Sequence, residues 1–99
     1  MTFINACRIT EVKSGKGKVV DVNGHKIAIF NDNGNFHAFD NMCPHRKGPL
    51  GDGALDGGIV TCPWHGWRFD VKTGKCATMP VSVKTYPVKI EGDIVLVDV

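Results

Sequence analysis

The chain has 99 residues, 42% of them hydrophobic, enough for one compact core and too few for two independent domains. Its formal charge of +2, from 12 Lys and Arg against 10 Asp and Glu, is spread without basic runs or interleaved aromatics, which argues against nucleic acid as a partner. No apolar run approaches the roughly 18 residues that span a bilayer, and the opening MTFINACRITEVKSGKGK lacks the apolar core and cleavage site of a signal peptide. The sequence therefore predicts no membrane partner and a cytoplasmic protein.

Twelve glycines and five prolines punctuate the chain at short intervals, and no stretch of a dozen residues keeps apolar positions at helical spacing. An all-β fold follows. Lys18–Val22 and Lys26–Phe30 flank Asn23-Gly24, a pair suited to a two-residue hairpin turn because both positions tolerate positive φ. A turn over Asn31–Asn35 leads into a strand over Phe36–Phe39. Near the end, a strand over Tyr86–Ile90 turns at Glu91-Gly92-Asp93 into Ile94–Val97. These hairpins predict a small antiparallel barrel or sandwich.

Between them, Asn41–Gly58 is rich in Gly, Pro and Asp and shows no sustained period, so it is predicted as loop; Ile59-Val60-Thr61 reads as a brief strand. Ordering each backbone residue costs roughly 1–2 kcal/mol, so a loop this long implies a function or a ligand that orders it.

Both edges of that loop carry a cysteine beside a histidine. The first pair is Cys43-Pro44-His45; sixteen residues later comes Cys62-Pro63-Trp64-His65, and each pair is followed by a glycine within three residues. Two loops thus each offer one thiolate and one imidazole. Four such ligands also describe structural zinc in a protein-binding module, although zinc modules usually pair like residues, as in Cys-x2-Cys with His-x3-His. Cys7 and Cys76 have no histidine neighbour and read as small apolar fillers or exposed thiols. With no export signal, a disulfide reading of the four cysteines is disfavoured. His25 and His37, in strand-like segments without a cysteine, read as ordinary histidines.

The Cys-x-His, sixteen residues, Cys-x-x-His pattern resembles the ligand signature of the Rieske 2Fe-2S proteins. The likeness is dense from Asn41 to Asp70, through Pro49-Leu50, Asp52-Gly53 and Gly66-Trp67-Arg68-Phe69-Asp70, and looser to Val99. The resemblance implies a single Rieske domain over residues 1–99, with a cluster-binding subdomain at about 41–72 inserted in the β-sandwich or barrel. It implies one 2Fe-2S cluster, with Cys43 and Cys62 on one iron and His45 and His65 on the other. Arg46, Lys47, Gly48, Pro49, Leu50, Trp64, Gly66 and Trp67 would then surround the cluster and form a docking rim. Arg46 and Lys47 suit either an acidic partner or a solvated loop, and Trp64 and Trp67 suit either core or rim. Asp70 is placed to cap the turn at Lys72-Thr73-Gly74.

High-potential members of the family carry an extra cysteine in each loop, joined as a disulfide, and Ser and Tyr hydroxyls directed at cluster sulfur. Here Gly48 and Trp64 stand at those cysteine positions, and Trp67 and Phe69 stand at the hydroxyl positions. The resemblance therefore implies a potential near the low end of the Rieske range, roughly −150 mV. Reduction takes the centre from neutral to −1, which would raise the pKa of His45 and His65 and couple potential to alkaline pH.

A stand-alone chain of this kind is a one-electron carrier without a substrate pocket, not an enzyme in itself. It would pass electrons from a flavin-dependent reductase to a terminal oxygenase. The alternative acceptor is the large subunit of an NAD(P)H-dependent nitrite reductase. A monomer is the simplest state for a carrier that shows one patch to two partners in turn.

Overall fold

The computed structural model describes residues 3–41, 49–64, 66–77 and 79–99. Its strands are β1 (Phe3–Arg8), β2 (Gly17–Val22), β3 (His25–Asp32), β4 (Asn35–Asp40), β5 (Ala54–Asp56), β6 (Ile59–Thr61), β7 (Arg68–Asp70), β8 (Thr85–Tyr86), β9 (Val88–Glu91) and β10 (Ile94–Asp98). Single 3-10 turns sit at Ile9–Glu11 and Leu50–Asp52. All named strands pair antiparallel, in three sheets ordered β1-β10-β9, β2-β3-β4-β8 and β5-β6-β7. No helix among the described residues is long and apolar enough to cross a membrane.

The hairpin predicted at Asn23-Gly24 is present: Val22 faces His25, and the two turn residues have φ of 53° and 81°. Both positive angles give the turn the twist that the flanking strands require. The next hairpin is tighter than its sequence suggests. Pairing continues through Asn31–Phe36 to Asp32–Asn35, leaving only Asn33-Gly34 as the turn, with φ of 53° and 92°. Asn31 is polar yet 9% exposed, and its side chain pins this end: Nδ2 donates to the Val12 carbonyl at 2.8 Å and Oδ1 accepts from the Gly34 amide at 2.7 Å.

β3 is buried on both faces. Ile27 and Ile29 pack with Val20, Val22, Ala38, Val95, Val97 and Cys7 in the core shared with the β1-β10-β9 sheet. Ala28 and Phe30 point the other way and join Phe39, Leu50, Val60, Cys62, Phe69, Val71 and Val83 in a second core, against the small sheet. The uninterrupted apolar run Ile27–Phe30 is the sequence mark of such a strand, since neither alternating set meets solvent. Cys7, 6% exposed, is the apolar filler expected; burial pushes its thiol pKa up, and the nearby Glu11 carboxylate adds to this.

Two sequence expectations are corrected. The region read as continuous loop contains the Leu50–Asp52 turn and strand β5, which pairs with β6 across Gly57-Gly58 at φ of 59° and 81°. Gly-Gly is itself a hairpin signal, but the strand before it is only three residues long and too short to show a period. The strand read as Tyr86–Ile90 is broken at Pro87. Tyr86 pairs with Ala38 of β4, whereas Val88 pairs with Val97 of β10, so the chain crosses between sheets at a residue with no N–H to give a ladder.

Candidate metal centre

Of the four predicted ligands, Cys62 lies in the described chain; Cys43, His45 and His65 lie outside the described residues, as do Arg46, Lys47 and Gly48. Cys62 directly follows β6. Its amide donates to the Trp67 carbonyl at 2.7 Å, extending the β6-β7 ladder by one rung, and its carbonyl accepts from the Gly66 amide at 3.0 Å. Gly66 sits at φ +74°, a backbone state that a side chain would strain. This tight turn holds Cys62 at 1% exposure within the second core.

The first loop is fastened at its base. The Leu50 amide donates to the Asn41 carbonyl at 2.7 Å, and the Gly51 amide donates to Asn41 Oδ1 at 2.7 Å. Asn41, 7% exposed, also donates its own amide to the Lys26 carbonyl at 3.1 Å, fixing that base to the start of β3. Leu50 is fully buried in the same core as Cys62. Its side chain, predicted to lie among the cluster surroundings and docking rim, does not reach the surface among the described residues. Pro49 is half-buried. Trp64 is 64% exposed and is not core, whereas Trp67 packs against the second core.

The remaining predicted roles divide cleanly. Asp70 caps its turn: its Oδ1 accepts from the amides of Lys72 at 2.8 Å and Thr73 at 3.3 Å. His25 is exposed, with its ring 6.5 Å from that of Tyr86. His37 is half-buried on β4, and burial holds its pKa below the usual histidine value; the Lys72 charge acts in the same direction, opposed by Asp32 and Asp70. Among the described residues, Cys7, Cys62 and Cys76 form no disulfide with one another. Sequence reasoning missed the fastening residue Asn41, although a polar side chain two positions before Cys43 is a visible place to look.

The described part of the site fits a cluster held between two loops. A buried thiol donor sits at the root of one tight turn, and the closed base of a second loop shares its core. The frame is that of a small all-β protein with two loops rooted in one core.

The comparisons specify the class. Residues 2–87 match the family described as Rieske [2Fe-2S] domain. The ferredoxin component of a naphthalene 1,2-dioxygenase system from Pseudomonas aeruginosa is 41% identical over 98 residues, covering 97% of this chain and 94% of the relative. A solved ferredoxin of Sphingomonas yanoikuyae B1 matches with a TM-score of 0.90 at 35% identity over 98% of each chain. A chain in the solved complex of reduced oxygenase and oxidized ferredoxin in carbazole 1,9a-dioxygenase matches with a TM-score of 0.87 at 28% identity, covering 96% of this chain and 91% of that one.

The chain belongs to the Rieske [2Fe-2S] domain family. Its cofactor is a Rieske 2Fe-2S cluster, in place of the zinc alternative, and like the ferredoxins it matches it is an electron carrier and not itself a catalyst.

Proposed function

We propose that Cys43 and Cys62 hold one iron and His45 and His65 the other, within a cluster-binding subdomain of about residues 41–72 in a single domain spanning 1–99. The protein then carries single electrons from a flavin-dependent reductase to the terminal oxygenase of a ring-hydroxylating system. The observation that carries this reading is the common root of the two loops: Leu50, next to the Asn41 fastening, and Cys62, at the head of the second turn, lie in one apolar cluster. Ligands drawn from two loops reach the same pair of irons only if those loops emerge side by side.

Held by Cys43, His45, Cys62 and His65, the cluster would supply reversible one-electron chemistry and would leave no iron position for a substrate. The chain's own contribution is to exclude water beneath the centre, through Leu50, Val60 and Phe69, and to present Trp64 at the surface. Neither Trp67 nor the fully buried Phe69 carries a hydroxyl, which supports a low potential. The names of the matched relatives favour a terminal oxygenase over the large subunit of a nitrite reductase as acceptor. A monomer in the cytoplasm fits a carrier that serves two partners in turn.

The test is stepwise. Anaerobically purified protein should contain two irons and two acid-labile sulfides, with an EPR signal of low average g after dithionite reduction. It should then be reduced by NADH through a flavin reductase and reoxidised by a ring-hydroxylating oxygenase. Zinc without sulfide would overturn the ligand assignment; an intact centre that no such oxygenase reoxidises would overturn the acceptor.

A further inference from the structure

Resting on that reading, we infer that Asn41 is a positioning residue for the cluster: its amide side chain fastens the loop that bears Cys43 and His45, and so governs how firmly those two ligands are held. Four observations converge on this residue. Its carbonyl and its Oδ1 accept from two consecutive amides, those of Leu50 and Gly51, at 2.7 Å each. Chain position 41 is thereby joined to positions 50 and 51, across the interval that contains both ligands. Its own amide donates to Lys26 at 3.1 Å, so the fastening is carried by β3 and does not float with the loop.

Gly51 is shaped for the contact. A Cβ there would collide with the Val19 side chain and stand 2.9 Å from Asn41 Oδ1, so only glycine lets the amide come this close without displacing one of them. Asp40, the preceding residue, is held in turn by the Tyr86 hydroxyl at 2.6 Å and by its amide bond to the Lys84 carbonyl at 2.9 Å. The two residues that lead into the first loop are therefore gripped from β3, β8 and the Leu50–Asp52 turn together.

A built-in control separates positioning from mere stability. Asn31 stands at the opposite end of β3, is buried to a similar degree, and makes the same kind of bonds, to Val12 and Gly34. Removing either amide leaves a polar backbone group without its partner, so both changes weaken the fold. Only Asn41 touches the base of a ligand loop.

The experiment compares Asn41→Ala, Gly51→Ala and Asn31→Ala with the parent as purified holoprotein, once the parent has shown two irons, two sulfides and the reduced EPR signal. A parent lacking these would sink the Rieske ligand assignment and leave the fastening unaddressed, so the two failures are distinct. The readouts are the rate of iron release to a chelator, the g values after reduction and the midpoint potential. Asn41→Ala should release iron at least tenfold faster and shift the g values and potential. Gly51→Ala reaches the same bond from its donor side; it should reproduce the effect and carries the test by itself if Asn41→Ala yields no soluble protein. Asn31→Ala should lower thermal stability while leaving g values and potential unchanged. The inference fails if the Asn41 and Gly51 variants keep the parent's release rate and spectrum, or if Asn31→Ala alters them equally.

Discussion

The hydroxyl of Tyr86 donates a 2.6 Å hydrogen bond to the Asp40 carboxylate, joining two residues 46 positions apart where β8 meets the end of β4. Lys84 lies over the same ring, 5.1 Å from its centre. The bond fixes the end of β4 immediately before Asn41.

Tyr86 is the single tyrosine of the chain, so its ionisation can be read directly from tyrosinate absorbance, on protein freed of overlapping cluster bands by difference against the Tyr86→Phe variant. Burial, and then the Asp40 carboxylate, push its pKa up to about 12 from 10.0. A pKa raised on folding gives stability that is complete below pH 10 and is lost as pH climbs through the folded value. Denaturation midpoints should therefore drop between about pH 10 and 12 by more in the parent than in Tyr86→Phe. At neutral pH the Phe variant should be less stable by about 1.5–3 kcal/mol, the range for a hydrogen bond to a charged group. A tyrosinate midpoint near 10 would contradict the geometry.

His37 should act at the opposite end of the pH scale. Its Nε2 is buried with no hydrogen-bond partner among the described residues, and burial depresses its pKa below 6.5. Asp32 and Asp70 partly offset this, and Lys72 reinforces it. A histidine depressed on folding supports the fold above its unfolded pKa and ceases to do so as pH falls through the lower, folded one. Stability should accordingly decline from pH 7 towards pH 5, and His37→Phe should flatten that decline. An equal slope in both proteins would remove His37 from the account.

Gly53 is confined by backbone. A Cβ at this residue would collide with the Thr61 carbonyl and stand 3.0 Å from that of Leu50. Neither neighbour is a flexible side-chain end, so Gly53→Ala must displace main chain immediately before Cys62. Overpacking of this kind costs about 1–3 kcal/mol. We expect a lower denaturation midpoint together with faster iron release; unchanged values for both would show that the turn yields more freely than its contacts suggest.

Trp64 offers the converse case. With 64% of its surface exposed it does little for the core, so Trp64→Ala should change stability by no more than about 0.5 kcal/mol and leave the midpoint potential in place. As a docking contact it should matter more: the apparent KM for the oxygenase should rise on the order of tenfold, equivalent to about 1.4 kcal/mol of binding. Steady-state reduction of the oxygenase at several carrier concentrations measures this. A KM equal to the parent's would place docking elsewhere on the surface.

The sequence made the Rieske family and the all-β class legible because both rest on local signals. Asn23-Gly24 specifies its turn through two residues, and a Cys two or three positions from a His is visible without any fold. What escaped was set by pairing at a distance. Ala54–Asp56 becomes a strand only because Ile59–Thr61 lies beside it, and Pro87 divides a strand only because β4 and β10 claim its two sides. The partner of Asn41 was equally hidden, since nothing near position 41 indicates that Leu50 and Gly51 return to meet it.

The doubly buried β3 gives the molecule a polarity. Near its first residues, Lys26 receives the Asn41 amide at the foot of the ligand loop; at its last, Asp32 lies beside the Gly57-Gly58 turn. Six residue steps of extended chain, from Lys26 to Asp32, set these poles about 20 Å apart. On the proposed ligand assignment electrons exchange at the Asn41 pole, which makes the Asn33-Gly34 tip an insulated handle. A fluorophore, spin label or surface tether attached there can report on or immobilise the carrier without lying in the path of its exchange.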